Sequence, residues 1–372
     1  MKKKEKKELS PQMQKVNNWL TTHFGRISYV EKIFFVDHMR TMIHAGLSLV
    51  EAIDILEKET ENKKFKMIIA SIKSEVEQGQ TFSDVLARYP KAFPIIYVKM
   101  VAAGEIAGKL EESLEQIVVQ MQKNHDLISS IRGAMIYPAV IITAMIGVAT
   151  LMVTVILPKL LVIFKDFDTE LPLATKVLIV ITDFASNPFN LTVIVISLIC
   201  FTTLYIYLLR KVYGFKRFIH NVNLHLPIFG KVIKQINLAR FSLTLSSLLK
   251  STVPIMTAVD ITADTCSNVL YKDSLHRASE TIQQGTPLSE ILSEYNKLFP
   301  PMVTEMIMVG ERTGEIGHML NELSDFFAKA VDKTMKNFTT IIEPVIILVL
   351  GVAVAGMAVA VIMPMYSLVQ NF

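Results

Sequence analysis

The stretch V-A-A-G-E-I-A-G-K-L, residues 101–110, sets two glycines four apart with a glutamate directly after the first. A close relative of it, V-G-E-R-T-G-E-I, stands at residues 309–316. Gly104 and Gly310 are 206 positions apart, and the same shift pairs Glu105 with Glu311 and Gly108 with Gly314. The register extends far beyond this unit. It joins Ala52 to Ala258, Asp54 to Asp260, Gly79 to Gly285, Ser83 to Ser289, Phe93 to Phe299, Pro138 to Pro344 and Pro158 to Pro364. Roughly thirty identities over about 120 ungapped pairs mark a tandem duplication. The fold of one copy is then expected twice.

Composition says where such a chain belongs. Of 372 residues, 51% are hydrophobic and 19% charged, and the mean hydropathy of +0.41 is too high for an ordinary soluble protein. About 20 apolar residues cross a bilayer, and three stretches qualify. Residues 133–158 hold no charged side chain, residues 191–209 form the centre of a second charge-free run, and residues 341–363 contain the third. The run L-P-L-A-T-K-V-L-I-V-I-T-D-F carries Lys176 and Asp183 and is too short to span; it is expected as an interfacial helix.

Lysine and arginine asymmetry sets the orientation. Arg210, Lys211, Lys216, Arg217, Lys231 and Lys234 follow the second span with no acid among them, which marks that side as cytoplasmic. The preceding loop mixes Lys159, Lys165 and Lys176 with Asp166, Asp168, Glu170 and Asp183 and is expected outside. The amino terminus is then cytoplasmic and the carboxy terminus extracytoplasmic. The start M-K-K-K-E-K-K-E lacks a following apolar region, so it reads as a solvated arm and not as a signal peptide.

Within each copy the periodicity is helical. S-Y-V-E at Ser28 and S-L-V-E at Ser48 are capping boxes. Helices are expected to stop at Gly46 and Gly79, with a short one from Phe82 to about Tyr89, a fifth ending at Gly104 and a sixth leaving Leu110 for the membrane. The expected fold is all-α: two homologous cytoplasmic helical bundles and three transmembrane helices. In order these are a basic arm (1–27), bundle one (28–132), a span (133–158), an outer loop (159–190), a span (191–209), bundle two (210–340), a span (341–363) and an outer tail (364–372).

Catalytic patterns are missing from the sequence. There is no G-x-x-x-x-G-K-[ST] phosphate loop, H-E-x-x-H pair or G-x-S-x-G elbow. The spans contain no internal Asp, Glu, Lys or Arg of the kind a proton-coupled transporter needs. His38 and His44 are six apart and lie on different faces of a helix, a poor metal pair. Cys200 falls in an apolar run and Cys266 in a polar region, which argues against a structural disulfide. The net charge of +4 gives no reason to expect nucleic acid.

The glycine–glutamate unit looks at first like a phosphate cradle, but the second copy replaces Lys109 with Glu315, which repels phosphate. Gly104, Gly108, Gly310 and Gly314 are expected to form a tight turn between the fifth and sixth helices. Glu105 and Glu311 then cap the following helix, or hold a structural divalent cation with the Gly79 or Gly285 loop. Pro138, Pro158, Pro344 and Pro364 bracket the first and third spans and are expected to define their ends. Glu343 is an interfacial carboxylate beside a helix-starting proline, and Gly351 with Ala355 is expected to permit close helix packing.

These motifs in order, A-G-L-S-L-V-E-A-I (45–53), G-Q-T-F-S-D-V-L (79–86), A-G-E-I-A-G-K-L (103–110), R-G-A-M-I-Y-P (132–138), V-G-E-R-T-G and E-P-V-I-I-L-V-L-G, resemble the type II secretion F and type IV pilus PilC family of inner-membrane platform proteins. The resemblance runs from about Ser28 to Tyr366. Ser251-Thr252 departs from Ala45-Gly46 of the first copy. The resemblance implies a non-enzymatic platform without a cofactor, in the inner membrane and in contact with lipid. Its expected partners are a cytoplasmic secretion or pilus-assembly ATPase, a pilin or pseudopilin, other inner-membrane assembly proteins and further copies of itself. It leaves Glu343 open to a pilin-contacting or mechanical role. A transporter or channel using Thr143, Thr154 or Thr203, and a tethered scaffold without a filament, stay open as other readings.

Overall fold

The computed structural model describes residues 26–156, 188–227 and 229–370, with positions 158, 180 and 184. The basic arm up to residue 25 and the expected interfacial helix of the outer loop lie outside the described residues. Every regular element among the described residues is helical.

The first copy begins with α1 (Tyr29–His44) and α2 (Leu49–Glu59), each opened by its expected capping box. Ser28 N donates to Glu31 Oε2 at 2.6 Å and Ser48 N donates to Glu51 Oε2 at 2.9 Å. Each box satisfies amides that the first helical turn leaves without partners, worth about 1 kcal/mol per cap. Next come α3 (Lys63–Glu77), the short α4 (Phe82–Ala87), α5 (Ile95–Ala107) and α6 (Leu110–Leu151). A π-helical stretch, Met152–Ile156, continues α6.

Two helices then connect to the second copy: α7 (Pro188–Lys211) and α8 (Tyr213–His225). The second copy comprises α9 (Phe229–Lys250), α10 (Ile255–Thr265), α11 (Val269–Ile282), α12 (Leu288–Ser293), α13 (Pro301–Thr313) and α14 (Ile316–Gln370).

The duplicated core repeats residue by residue. Phe35, Phe65 and Phe93 form an aromatic trio with ring centroids 5.3, 5.7 and 6.3 Å apart. At the same shift, Phe241, Tyr271 and Phe299 form its counterpart, with Phe299 5.3 Å from each of the others. The tyrosine adds a hydroxyl to an apolar core, and that hydroxyl donates to Leu298 O at 2.7 Å. Burial of an unpaired hydroxyl is thereby avoided.

The chain divides into two compact units. Of the described residues, one unit holds those from 26 to 127 and from 234 to 328, and with them both helical bundles; the other holds those between 128 and 233 and from 329 to 370. Within the first unit, the bundles meet at a polar seam. Gln120 Nε2 donates to Thr244 Oγ1 at 3.3 Å and Ser247 Oγ donates to Gln120 Oε1 at 2.8 Å, all three residues being buried. At its rim Lys123 Nζ reaches Asp325 Oδ1 at 2.6 Å and Asn321 Oδ1 at 3.1 Å.

The apolar stretches lie mostly in the second unit. Leu110–Ile156 and Ile316–Gly356 are long and apolar enough to cross a membrane, and a third qualifies if Ile196–Lys211 is counted with Tyr213–His225, from which it is bent by 103°. Pro138 lies inside α6, and Pro344 and Pro364 lie inside α14, so each helix runs on through the prolines expected to bracket its span. A proline removes one backbone donor, and helices in apolar surroundings tolerate the loss when the freed carbonyl is met locally. For the same reason the expected outer tail from residue 364 continues α14 as far as Gln370.

Candidate functional site

The glycine–glutamate unit forms a corner in each copy. Gly104 does not end α5 but sits within it, because it permits a close approach. A Cβ there would lie 2.3 Å from Ser113 Oγ and 2.6 Å from Ser113 Cβ, so α5 meets the first turns of α6 at a separation that a side chain forbids. At Gly310 the obstruction is backbone, with Ile316 Cα 2.7 Å away. The turn itself belongs to the next glycines, Gly108 at φ 65° and Gly314 at φ 77°. In the first copy Lys109 N donates to Gly104 O at 2.8 Å and Gly108 N to Glu105 O at 3.2 Å, a Schellman closure of α5.

The glutamates do not cap the helix that comes after them. Glu105 instead turns back to α4, accepting from Phe82 N at 2.6 Å and from Ser83 N at 2.9 Å. Glu311 does the same to α12, accepting from Leu288 N at 2.6 Å and from both the amide and the hydroxyl of Ser289. Each carboxylate meets the orphan amides of a six-residue helix too short to hold together alone. The second clasp matters more to its helix, since Thr81 caps α4 with its own side chain whereas Pro287 gives α12 no side-chain cap. Gly79 and Gly285, at φ 86° and 87°, turn the chain into these short helices. Among the described residues no three His, Cys, Asp or Glu side chains converge as a metal site would require.

A second pair of equivalent positions differs in chemistry. Asp54 accepts from Lys58 at 2.5 Å and also from Lys73, and these two hydrogen bonds hold its carboxyl down at about 2. Asp260 instead meets His276 Nδ1 at 2.8 Å, while Asp264 accepts from Lys272 at 2.6 Å. Asp264 is held below the usual carboxylate range, first by that Lys272 bond. Burial pushes the Cys266 thiol up to about 12.

The remaining expected residues fall in the apolar helices. Glu343 and Pro344 are exposed on α14, Pro138 is buried on α6, and Pro158 is partly exposed. Gly351 and Gly356 leave room around them, since among the described residues a Cβ on either meets nothing within 4 Å. Thr143, Thr154 and Thr203 donate to Ala139 O, Thr150 O and Ile199 O, four residues back in their own helices, at 2.7, 2.7 and 2.8 Å. Hydroxyls spent on their own backbone are the usual state of threonine in an apolar helix.

Sequence reasoning missed the seam and the second partners of the clasp. Ser83 and Ser289 carried a signal, since they are identical at the repeat shift. Gln120 carried none, because its counterpart is Phe326.

A duplicated helical bundle, each copy closed by a glutamate clasp and each followed by a long apolar helix, defines an all-α membrane protein with an internal repeat. Comparison with known proteins places it further. The family description "Type II secretion system (T2SS), protein F" matches residues 35–158 and again residues 241–364, two stretches displaced by the same 206 positions as the repeat. The chain belongs to that family. Over 350 residues it is 36% identical to the type IV pilus assembly protein PilC of Myxococcus xanthus, covering 93% of this chain and 82% of that one. PilC of Thermus thermophilus is 36% identical over 338 residues, 90% of this chain and 82% of its own. The type II secretion system protein F of Vibrio cholerae is 28% identical over 342 residues, 92% and 83% of the two chains.

Proposed function

We propose that this chain is a non-enzymatic platform of a type IV pilus or type II secretion assembly machine. It sits in the inner membrane with its amino terminus in the cytoplasm and its carboxy terminus outside, and it works as a homo-oligomer. Its bundles engage a cytoplasmic assembly ATPase, and its apolar helices meet the hydrophobic helix of a pilin or pseudopilin as the subunit leaves the bilayer. The observation that carries this reading is the double family match, which falls on both copies of the repeat and includes in each the bundle, the clasp and the apolar helix after it. Relatives named for pilus assembly and for secretion align over nine-tenths of the chain, which supports the machine.

The test is site-specific crosslinking in cells. Photoreactive residues on exposed faces of α3 and of α11 should trap the ATPase from at least one bundle, and residues on α14 beyond Pro344 should trap the pilin. Loss of the chain should abolish filament growth without reducing ATPase or pilin levels. A knockout that still assembles filaments would overturn the reading. Reporter fusions in the outer loop at Leu171 test the orientation: a cytoplasmic signal there would reverse it.

A further inference from the structure

We propose that α8 lies in the surface of the cytoplasmic leaflet, held there by anionic lipid headgroups and by an apolar stripe that enters the membrane. The inference rests on reading α7 as a crossing. At 1.5 Å per residue its 24 residues span about 36 Å, enough for a hydrocarbon core of about 30 Å. It ends on Arg210 and Lys211, basic residues suited to a cytoplasmic headgroup layer.

Beyond Lys211 the chain turns instead of extending α7. Val212 leaves helical geometry, with φ −106° and ψ 100°, and α8 departs at 103° to the last turns of α7. A helix set at about a right angle to a crossing runs along the membrane plane. Its sequence, Y-G-F-K-R-F-I-H-N-V-N-L-H, is built for that position. Phe215, Phe218, Ile219 and Val222 recur at i, i+3, i+4 and i+7 and share one face. Phe218 remains 63% exposed and Val222 38% exposed, so the described residues leave the middle of this stripe uncovered.

Lys216, Arg217 and Asn221 lie off the stripe, on the polar side. From residue 184 to residue 259 the sequence contains no aspartate or glutamate. A basic amphipathic helix in a wholly acid-free region complements an anionic lipid surface. Both ends of α8 are fastened: Phe215 stands edge-on to Tyr205 of α7 at 6.1 Å, and Leu224 is buried beside Gly230, where a Cβ would come within 2.3 Å of Leu224 O. The stripe is therefore held in one direction and not free to roll.

The experiment uses the full-length protein with C266A, reconstituted in phosphatidylcholine vesicles with and without phosphatidylglycerol. A nitroxide on native Cys200, within α7, is the depth reference, and in a C200S/C266A background single labels go to F218C, V222C, R217C and N221C. In phosphatidylglycerol vesicles, the labels at 218 and 222 should resemble that at 200, relaxed severalfold more by oxygen than by a water-soluble nickel chelate. Those at 217 and 221 should show the reverse. K216Q/R217Q should raise nickel access at 218 in phosphatidylglycerol vesicles and leave it unchanged without that lipid. Nickel access at 218 and 222 equal to that at 217, with the label at 200 still in lipid, would overturn the inference while leaving the crossing intact. Protection at 218 that disappears on diluting protein into more lipid would assign the stripe to a second copy and overturn it too. A water-exposed label at 200 would remove the crossing itself.

Discussion

Thr252 holds φ at 59°, in the left-handed region where its counterpart Gly46 sits at 89°. Both make the same closure, with Thr252 N donating to Leu249 O at 3.1 Å and Val253 N to Leu248 O at 3.0 Å. A β-branched residue is strained there by about 1–2 kcal/mol, so Thr252→Gly should stabilise the protein by about 1 kcal/mol in chemical denaturation, after glycine's greater unfolded-state entropy is subtracted. Glu105→Ala should cost about 1–3 kcal/mol, since two amides of α4 lose their acceptor. Glu311→Ala should cost more, because α12 has no side-chain cap of its own. Added calcium should leave the melting temperature unchanged; a rise that Glu105→Gln and Glu311→Gln abolish would establish the cation reading. Asp54 gives a pH dependence whose sign follows from its lowered value. Its contribution to stability is whole above the ordinary carboxylate value of about 3.9 and is lost as pH falls through about 2. Asp54→Asn should therefore flatten the acid limb of a stability–pH curve in that window. At this scale the glycines and glutamates were readable as special because they recur, but the direction in which Glu105 reaches was not. That direction depends on where α4 falls in space.

Helix starts were the most legible elements, because a capping box states its geometry locally: Ser28 with Glu31 and Ser48 with Glu51 each form the bonds their spacing requires. Helix ends were read well at Gly46 and Gly79 and badly at Gly104, where glycine serves an interhelical contact instead of a turn. Proline stops neither apolar helix, since α6 runs through Pro138 and α14 through Pro344 and Pro364. The aromatic trio is the element-scale feature with the largest expected energy. Phe93→Ala and Phe299→Ala should each cost about 3–5 kcal/mol, since both rings are nearly or fully buried among aromatic neighbours. Gly310→Ala should cost about 1–3 kcal/mol by pushing α13 off the start of α14, and should be harder to accommodate than Gly104→Ala, whose first obstacle is a serine side chain.

For the whole molecule, the all-α class, the duplication and the membrane character were all present in the sequence, because periodicity and self-similarity are properties of the chain alone. The seam between bundles was not, since tertiary contacts between unlike residues leave no pattern. Gln120→Leu should destabilise the protein by about 1–3 kcal/mol, as it strands buried Thr244 and Ser247. Lys123→Ala and Asp325→Ala, tested together and singly, should show a coupling of at most about 1 kcal/mol, as expected for a half-exposed ion pair. The seam also bears on the history of the chain. At the repeat shift the clasp is the same in both halves, but Gln120 corresponds to Phe326, Thr244 to His38 and Ser247 to Thr41. The simplest ancestry puts the clasp in a single-copy forebear and the seam after the copying, when fusion first gave the two halves fixed and unequal neighbours. The halves have since ceased to be interchangeable parts, and a chain rebuilt from two first halves would inherit both clasps and no seam.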